Sequence, residues 1–243
     1  MKTTSMLMKT DILFYAPHIQ ENPILPEDES GHAVRVLRLT EGDDIHVTDG
    51  KGVFYRARIT NAHPKHCEVQ IISSQQQPPL WSCQIHIAIA PPKNIDRMEW
   101  FVEKATEIGI DAITCLNCHF SERREIKTAR LEKIMISAIK QSQKARLPQL
   151  TGMTDFQDFI HKPFAGSKFI AHCEEDAKLS LKQIYNHGEN ALILIGPEGD
   201  FSPKEISSAI EQGFQPVSLG NSRLRTETAA LVACHTIHLL NQV

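Results

Sequence analysis

Apolar positions in this chain follow one rhythm up to about residue 75 and another after residue 83. In the first stretch they form short runs, Ile12 to Tyr15, Asp44 to Thr48, Val53 to Ile59 and Cys67 to Ile72. Glu41-Gly42-Asp43 and Asp49-Gly50-Lys51-Gly52 lie between them as turns. Short strands at that spacing predict a small β-barrel. A helix is expected over Gly31 to Leu39, with Arg35 and Arg38 on one face. From Cys83 the pattern alternates: strand Ile85 to Ala90, helix Asp96 to Ile108, strand Ala112 to Leu116, helix Lys127 to Gln143, a short helix near Phe156 and strand Lys168 to Ala171. That alternation predicts an α/β unit built on a mainly parallel sheet. The polar, proline-containing run Ser73 to Pro79 reads as a linker, so the expected division is 1–74, 75–82 and 83–243.

The last third carries the chemistry. Ala191 to Ile195 is a run of apolar residues too short for a helix and without alternation, which predicts a strand covered on both faces. It delivers the loop Gly196-Pro197-Glu198-Gly199-Asp200-Phe201. Ser202 is then an N-cap, Pro203 takes the first helical position and Glu205 completes a capping box. Glycines and backbone donors thus meet at the carboxyl end of a strand, where open α/β sheets bind ligands. Neither G-x-G-x-x-G nor G-x-x-x-x-G-K-[ST] is present, and Glu198 and Asp200 have no lysine or arginine beside them before Lys204. Two carboxylates repel a phosphate; a phosphate-free nucleoside with a positive charge, such as S-adenosylmethionine, suits the loop better. A purely structural strand-to-helix turn is the alternative. A further strand is expected over Gln215 to Leu219, with a helix capped by Thr226 running from Glu227 to Leu240. That helix has almost no polar face, which predicts burial nearly all round, shared between the core and a second subunit.

Gly196-Pro197-Glu198-Gly199-Asp200-Phe201-Ser202 and the segment Leu219-Gly220-Asn221-Ser222-Arg223-Leu224-Arg225-Thr226-Glu227-Thr228-Ala229 resemble the paired carboxyl-terminal signatures of the RsmE family. The segments Asp96 to Gly109, Lys140 to Pro148, His32 to Leu39, Gly42-Asp43-Asp44 and Asp49 to Gly52 resemble that family in the same order. Its members are 16S ribosomal RNA uracil-N3 methyltransferases of the SPOUT class. The resemblance implies a homodimer of a PUA-like β-barrel domain and a SPOUT α/β trefoil-knot methyltransferase domain. It also implies S-adenosyl-L-methionine as cofactor and the 16S rRNA of the small ribosomal subunit as substrate. Backbone groups around Leu194, Ile195, Gly196, Pro197, Glu198, Gly199, Leu219, Gly220, Leu224, Arg225 and Thr226 are then expected to hold the cofactor, with His172, Cys173 and Glu174 closing the pocket. Arg35, Arg38, Lys93, Arg97, Arg123 and Arg124 are expected to contact RNA. Arg225 is expected to stabilise charge developing on the uracil oxygens, and Glu227 to orient it or take the N3 proton, with Glu198 as the other acceptor. Many relatives carry a second glycine where Asp200 stands, and an arginine then an aliphatic residue at the positions of Ser222 and Arg223.

Composition narrows the surroundings. The chain has 243 residues, 41% hydrophobic and 23% charged, and a net charge of −3, so any RNA surface must be local. Ser121 to Arg146 is the clearest basic stretch, with eight basic residues against three acidic ones. No apolar run approaches the length of a membrane span and no signal peptide is visible, which predicts a cytoplasmic protein. Met6 or Met8 is a possible start in place of Met1. The six cysteines are scattered and expected to be reduced. Cys115-Leu116-Asn117-Cys118-His119 has the form of a c-type haem site, but it falls at the end of an expected strand, and buried thiols fit better; no metal site is expected. Methylation of another RNA position, including ribose hydroxyls, a non-catalytic rRNA-binding role and a nicotinamide dehydrogenase are the competing readings.

Overall fold

The computed structural model describes residues 12–79, 81–173 and 178–242; the alternative starts Met1, Met6 and Met8, and Glu174, lie outside the described residues. The chain divides into two compact units, Met1–Pro79 with Ile139–Leu147, and Leu80–Ala138 with Pro148–Val243.

The first unit is a sheet in the order β1 (Leu13–Tyr15), β2 (Asp44–Thr48), β3 (Val53–Asn61) and β4 (Glu68–Gln76), parallel between β1 and β2 and antiparallel elsewhere. Alternation along β3 sends Tyr55, Ala57 and Ile59 into a core with Phe14, Leu25 and Val47. Arg56 and Arg58 point outward and bind Asp44 at 2.6 and 2.8 Å. The expected helix over 31–39 is corrected. A short helix α1 (Glu27–Gly31) passes into a π-helical turn, His32–Val36, and Arg38 stands beyond it at φ 56°. Bringing Leu39 into the core, with its amide bonded to the Ala33 carbonyl at 3.0 Å, requires this reversal, so Arg35 and Arg38 do not share a helix face. Gln75 and Gln76, expected in a linker, pair with Phe54 and Val53 and extend β4. The unit also takes in the Ala145 carbonyl, which accepts from Gly52 N at 2.9 Å and Thr48 Oγ1 at 3.1 Å. Periodicity carries no signal of that long-range pairing.

The second unit runs β5 (Ile85–Ile89), α2 (Ile95–Ile108), β6 (Ala112–Asn117), α3 (Thr128–Gln141, whose last residues fall in the first unit), β7 (Gln149–Asp155), α4 (Phe156–Ile160), β8 (Ser167–Ala171), α5 (Leu181–Ile184), β9 (Ala191–Ile195), α6 (Pro203–Glu211), β10 (Gln215–Val217) and α7 (Thr226–Leu240). Its sheet is parallel throughout, in the order β10-β8-β9-β5-β6-β7. β7 had no sequence signal: Leu150 and Met153 are its only large apolar residues, and it is half-buried with exposed ends, as an edge strand permits. β9 has the predicted bounds and every residue buried, because β8 and β5 flank it and helices cover its faces. On β5, His86 is bonded to Thr114 Oγ1 at 2.9 Å and edge-on to Phe159, and burial lowers its pKa to about 4. α7 packs Ala230, Ala233, Cys234 and Ile237 inward but leaves Leu239 55% exposed and Leu231 and Val232 half-buried, so burial all round is not reached within the chain.

Candidate active site

Because the strands are parallel, the loops leaving β8, β9 and β10 emerge on one edge. They enclose a cleft with two adjoining lobes. One, of about 530 Å³, is lined by Arg97, Ala171, Cys173, residues 195–200 and 223–226, and Ala229. The other, of about 570 Å³, shares Ala171, Cys173, Arg223, Leu224 and Ala229 and extends to His172, Lys178 and residues 217–222, so His172 and Cys173 both stand at the cleft.

The β9 loop is over-determined. Ile195 O accepts from Ala90 N at 2.9 Å, fixing the strand end. A β-carbon at Gly196 would lie 3.1 Å from the Phe201 ring, which is why that position favours glycine. The turn closes through Asp200 N donating to Pro197 O at 2.9 Å, and α6 starts with the predicted capping box between Ser202 and Glu205. Glu198 Oε1 accepts from Lys93 N at 2.9 Å, tying the loop to the end of β5.

Asp200 explains its own departure from the family pattern. Its φ is 66°, in the left-handed region where glycine is at ease. The carboxylate compensates: Oδ2 accepts from Cys173 N at 2.7 Å and Oδ1 from Phe201 N at 2.8 Å, so the side chain joins the β8 exit to the β9 loop. Asp200→Gly and Asp200→Ala both delete these bonds, but only alanine keeps the strain. Denaturant unfolding is expected to find the alanine variant less stable than the glycine variant by about 1 kcal/mol; equal midpoints would show that the backbone relaxes out of the left-handed region.

At the mouth of α7, Arg225 is the N-cap and Thr226 the first helical residue, one position earlier than predicted. Arg225 makes no side-chain cap bond, and its exposed side chain lines the cleft. Glu227 is buried and faces Arg97 Nε at 3.8 Å. Arg97, expected among the RNA contacts, is therefore brought to this cleft. Of the residues expected to hold the cofactor, Ile195 to Gly199, Leu219, Gly220 and Leu224 to Thr226 line one lobe or the other, while Leu194 is buried in β9 beneath them. Arg223 and Lys178 also line the cleft and were not expected to hold the cofactor. Arg223 was legible as the family departure; Lys178 had no signal.

Lys93, Arg123 and Arg124 line a neighbouring cleft of about 410 Å³ with Glu122 and Glu125. Arg123 is held by the Pro92 and Lys93 carbonyls at 3.1 and 2.5 Å, and Lys93 Nζ pairs with Glu122 at 2.7 Å. Arg35 and Arg38 belong to the other unit and are exposed. Cys115 and Cys118 are buried, and burial pushes the Cys115 thiol up to about 12, which suits core thiols. Among the described residues no group of three or more His, Cys, Asp or Glu is placed to hold a metal, and no helix is long and apolar enough to cross a membrane.

Comparison with known proteins agrees with this geometry. An RNA methyltransferase domain model matches residues 79–238, and an RNA methyltransferase PUA domain model matches residues 25–72. The chain is 31% identical to a ribosomal RNA small subunit methyltransferase E from Synechocystis, over 98% of this chain and 80% of the relative. A crystal structure titled "probable rRNA-methyltransferase" from Porphyromonas gingivalis is 48% identical, with a TM-score of 0.90 over 95% of this chain and 98% of that one. The ribosomal RNA small subunit methyltransferase E of Neisseria gonorrhoeae, bound to S-adenosyl methionine, is 29% identical with a TM-score of 0.81, over 94% and 97% of the two chains. The PUA-like unit, the parallel α/β sheet of SPOUT type and these relatives together place the chain in the RNA methyltransferase family whose curated members are the ribosomal RNA small subunit methyltransferases E.

Proposed function

We propose that this protein transfers a methyl group from S-adenosyl-L-methionine to N3 of a uridine in the 16S rRNA of the small ribosomal subunit. The observation that carries this reading is the cleft at the carboxyl ends of β8, β9 and β10, built from both signature segments. Its chemistry fits the cofactor. Ala171, Leu219, Leu224 and Ala229 offer apolar wall for an adenosine, while the β9 turn offers backbone groups. Glu198 and Asp200 place two carboxylates on that turn, which suits a sulfonium, while Arg97, Arg223 and Arg225 on the same cleft suit the donor's carboxylate and the substrate. When bound, the cofactor supplies an electrophilic methyl carbon on a good leaving group.

The chain's residues supply position and charge. In-line displacement needs the uracil nitrogen held opposite the departing sulfur, and such alignment is worth several orders of magnitude. The C–S bond breaks as the N–C bond forms, the N3 proton is assigned to the Glu198 carboxylate on the cleft wall and then to solvent, and the negative charge that builds on the uracil as that proton leaves spreads to the carbonyl oxygens. Arg225, exposed on the cleft wall, is assigned to those oxygens. Glu227 is assigned to orienting the site: buried in the first turn of α7 and facing Arg97, it holds that guanidinium against the cleft. Lys93, Arg123 and Arg124 are assigned to RNA phosphates beside the site, and Arg35 and Arg38 to phosphates elsewhere. A substrate in the small ribosomal subunit makes the cytoplasm the expected location.

Calorimetric titration with S-adenosylmethionine, followed by nucleoside mass spectrometry of 16S RNA incubated with labelled cofactor, tests this reading. The expected product is N3-methyluridine; a labelled ribose 2′-O-methyl nucleoside would move the target, and absence of cofactor binding would leave a non-catalytic role. The homodimer rests on α7, whose Leu231, Val232 and Leu239 are an apolar surface that a second copy would cover. Light scattering is expected to report a dimer, and a monomer at micromolar concentration contradicts it.

A further inference from the structure

The loop after β6 carries a phenylalanine that the fold does not bury. Phe120 is 47% exposed, yet the turn that carries it is tied down by bonds to the residues on either side of it. Cys118 N donates to the buried Ser121 Oγ at 2.9 Å, and Ser121 N returns a bond to Cys118 O at 3.0 Å. His119 N donates to Oε1 of the buried Glu205 at 2.7 Å, which ties the loop to the start of α6. The ring is therefore presented by a rigid turn and is not a frayed side chain. It is presented beside the methyl-donor loop: a β-carbon built on Gly199, which lines the cleft, would lie 3.2 Å from the Phe120 Cβ. His119 packs against the ring in a T-shaped pair, 4.6 Å between centroids and 74° between planes, and Phe120 still keeps 47% of its surface exposed. The next residues in sequence, Glu122 to Glu125, line the basic cleft that also holds Lys93.

An exposed aromatic ring on a fixed loop, between a cleft for a nucleoside-bearing methyl donor and a cluster of phosphate-seeking cations, matches one kind of partner. We infer that Phe120 is a stacking platform for an unpaired nucleobase of the RNA substrate, either the target uridine or its immediate neighbour, once that base has left its helix. The inference rests on the methyltransferase reading above and adds the residue that receives the base. The energetics suit the task. A base removed from its stack loses stacking and pairing, and an aromatic face at the reaction site restores part of that loss. Every base has a π-face, so the contact holds a nucleotide without reading its identity, leaving selection of uracil to groups such as Arg225 that meet its oxygens. Gly199 belongs to the same arrangement: a β-carbon there would sit in tight contact with Phe120, so that the ring or the loop has to give by a fraction of an ångström.

Phe120→Ala tests the inference cleanly, because alanine keeps the β-carbon that packs on Gly199 and removes only the exposed ring. Methyl transfer to 16S RNA and cofactor affinity by calorimetry are measured on wild type, Phe120→Ala and Phe120→Tyr. The expected result is a KM for RNA raised about tenfold in Phe120→Ala, a cofactor affinity unchanged within about twofold, and recovery of most of the loss in Phe120→Tyr. A wild type that transfers methyl groups together with a Phe120→Ala variant of unchanged RNA KM overturns the stacking role alone. Cofactor affinity falling in step with RNA affinity also overturns it, since Phe120 would then be a wall of the donor loop. A wild type that transfers no methyl group overturns the functional reading and the stacking role with it.

Discussion

Arg225→Ala is expected to bind S-adenosylmethionine with near wild-type affinity and to lose about 10²–10³ in turnover, the usual cost of deleting a group that meets charge developing in a transition state. The asymmetry follows from where the residue stands. Its backbone caps α7, and the Arg225 carbonyl accepts from Ala229 N at 2.7 Å, so the helix start survives substitution. Its side chain makes no cap bond and is free to meet substrate in the cleft. Single-turnover kinetics at saturating cofactor, paired with calorimetry, separate the two effects. Full turnover in the variant would remove Arg225 from the chemistry, and Arg223, which lines both lobes of the same cleft, would take its place. Arg225→Lys sharpens the test: a lysine keeps the charge but loses the planar fork suited to a delocalised anion, so partial activity is expected.

Glu205→Ala is expected to cost about 2–3 kcal/mol of stability and to raise the KM for RNA, although Glu205 is not among the cleft-lining residues. The carboxylate is 6% exposed and accepts from Ser202 N at 2.8 Å, Ser202 Oγ at 2.9 Å and His119 N at 2.7 Å. It thus closes the cap of α6 and pins the loop that presents Phe120. Deleting it leaves three donors to find water in a half-buried place. Glu205→Gln retains an acceptor for one side of this arrangement and is expected to fall between the two. Chemical denaturation gives the stability change; RNA titration below the unfolding transition gives the functional one. A variant that loses stability but keeps its RNA KM would make Glu205 a helix cap and nothing more.

Much of the second unit is legible in the amino-acid sequence, because its elements are dictated by local physics. The unbroken apolar run Ala191 to Ile195 has no stable place except a strand covered on both faces. Ser202, Pro203 and Glu205 carry their capping geometry in their own side chains and ring. The two signature segments, taken together, mark the cleft that the loops do form. Legibility fails where burial depends on a partner distant in sequence. β7 has only Leu150 and Met153 as large apolar residues and takes its strand from pairing with β6. Arg38 takes its left-handed backbone because Leu39 must turn into a core assembled from remote strands.

Asp200 shows the division most sharply. Its departure from the family pattern and the conformational demand of its position are both visible in the chain, since glycine is what relatives often keep there. Only the fold brings Cys173 N within 2.7 Å of its carboxylate, converting an awkward residue into a tie between the ends of neighbouring strands. The pairing of Glu227 with Arg97 is of the same kind, joining α7 to α2. The elements, their caps and the chemical character of the donor loop are written in the chain alone, because they follow from side-chain and backbone preferences within a few residues. Which groups meet across loops is settled by the fold, because hydrogen bonds and ion pairs act over a few ångströms whatever their separation along the chain.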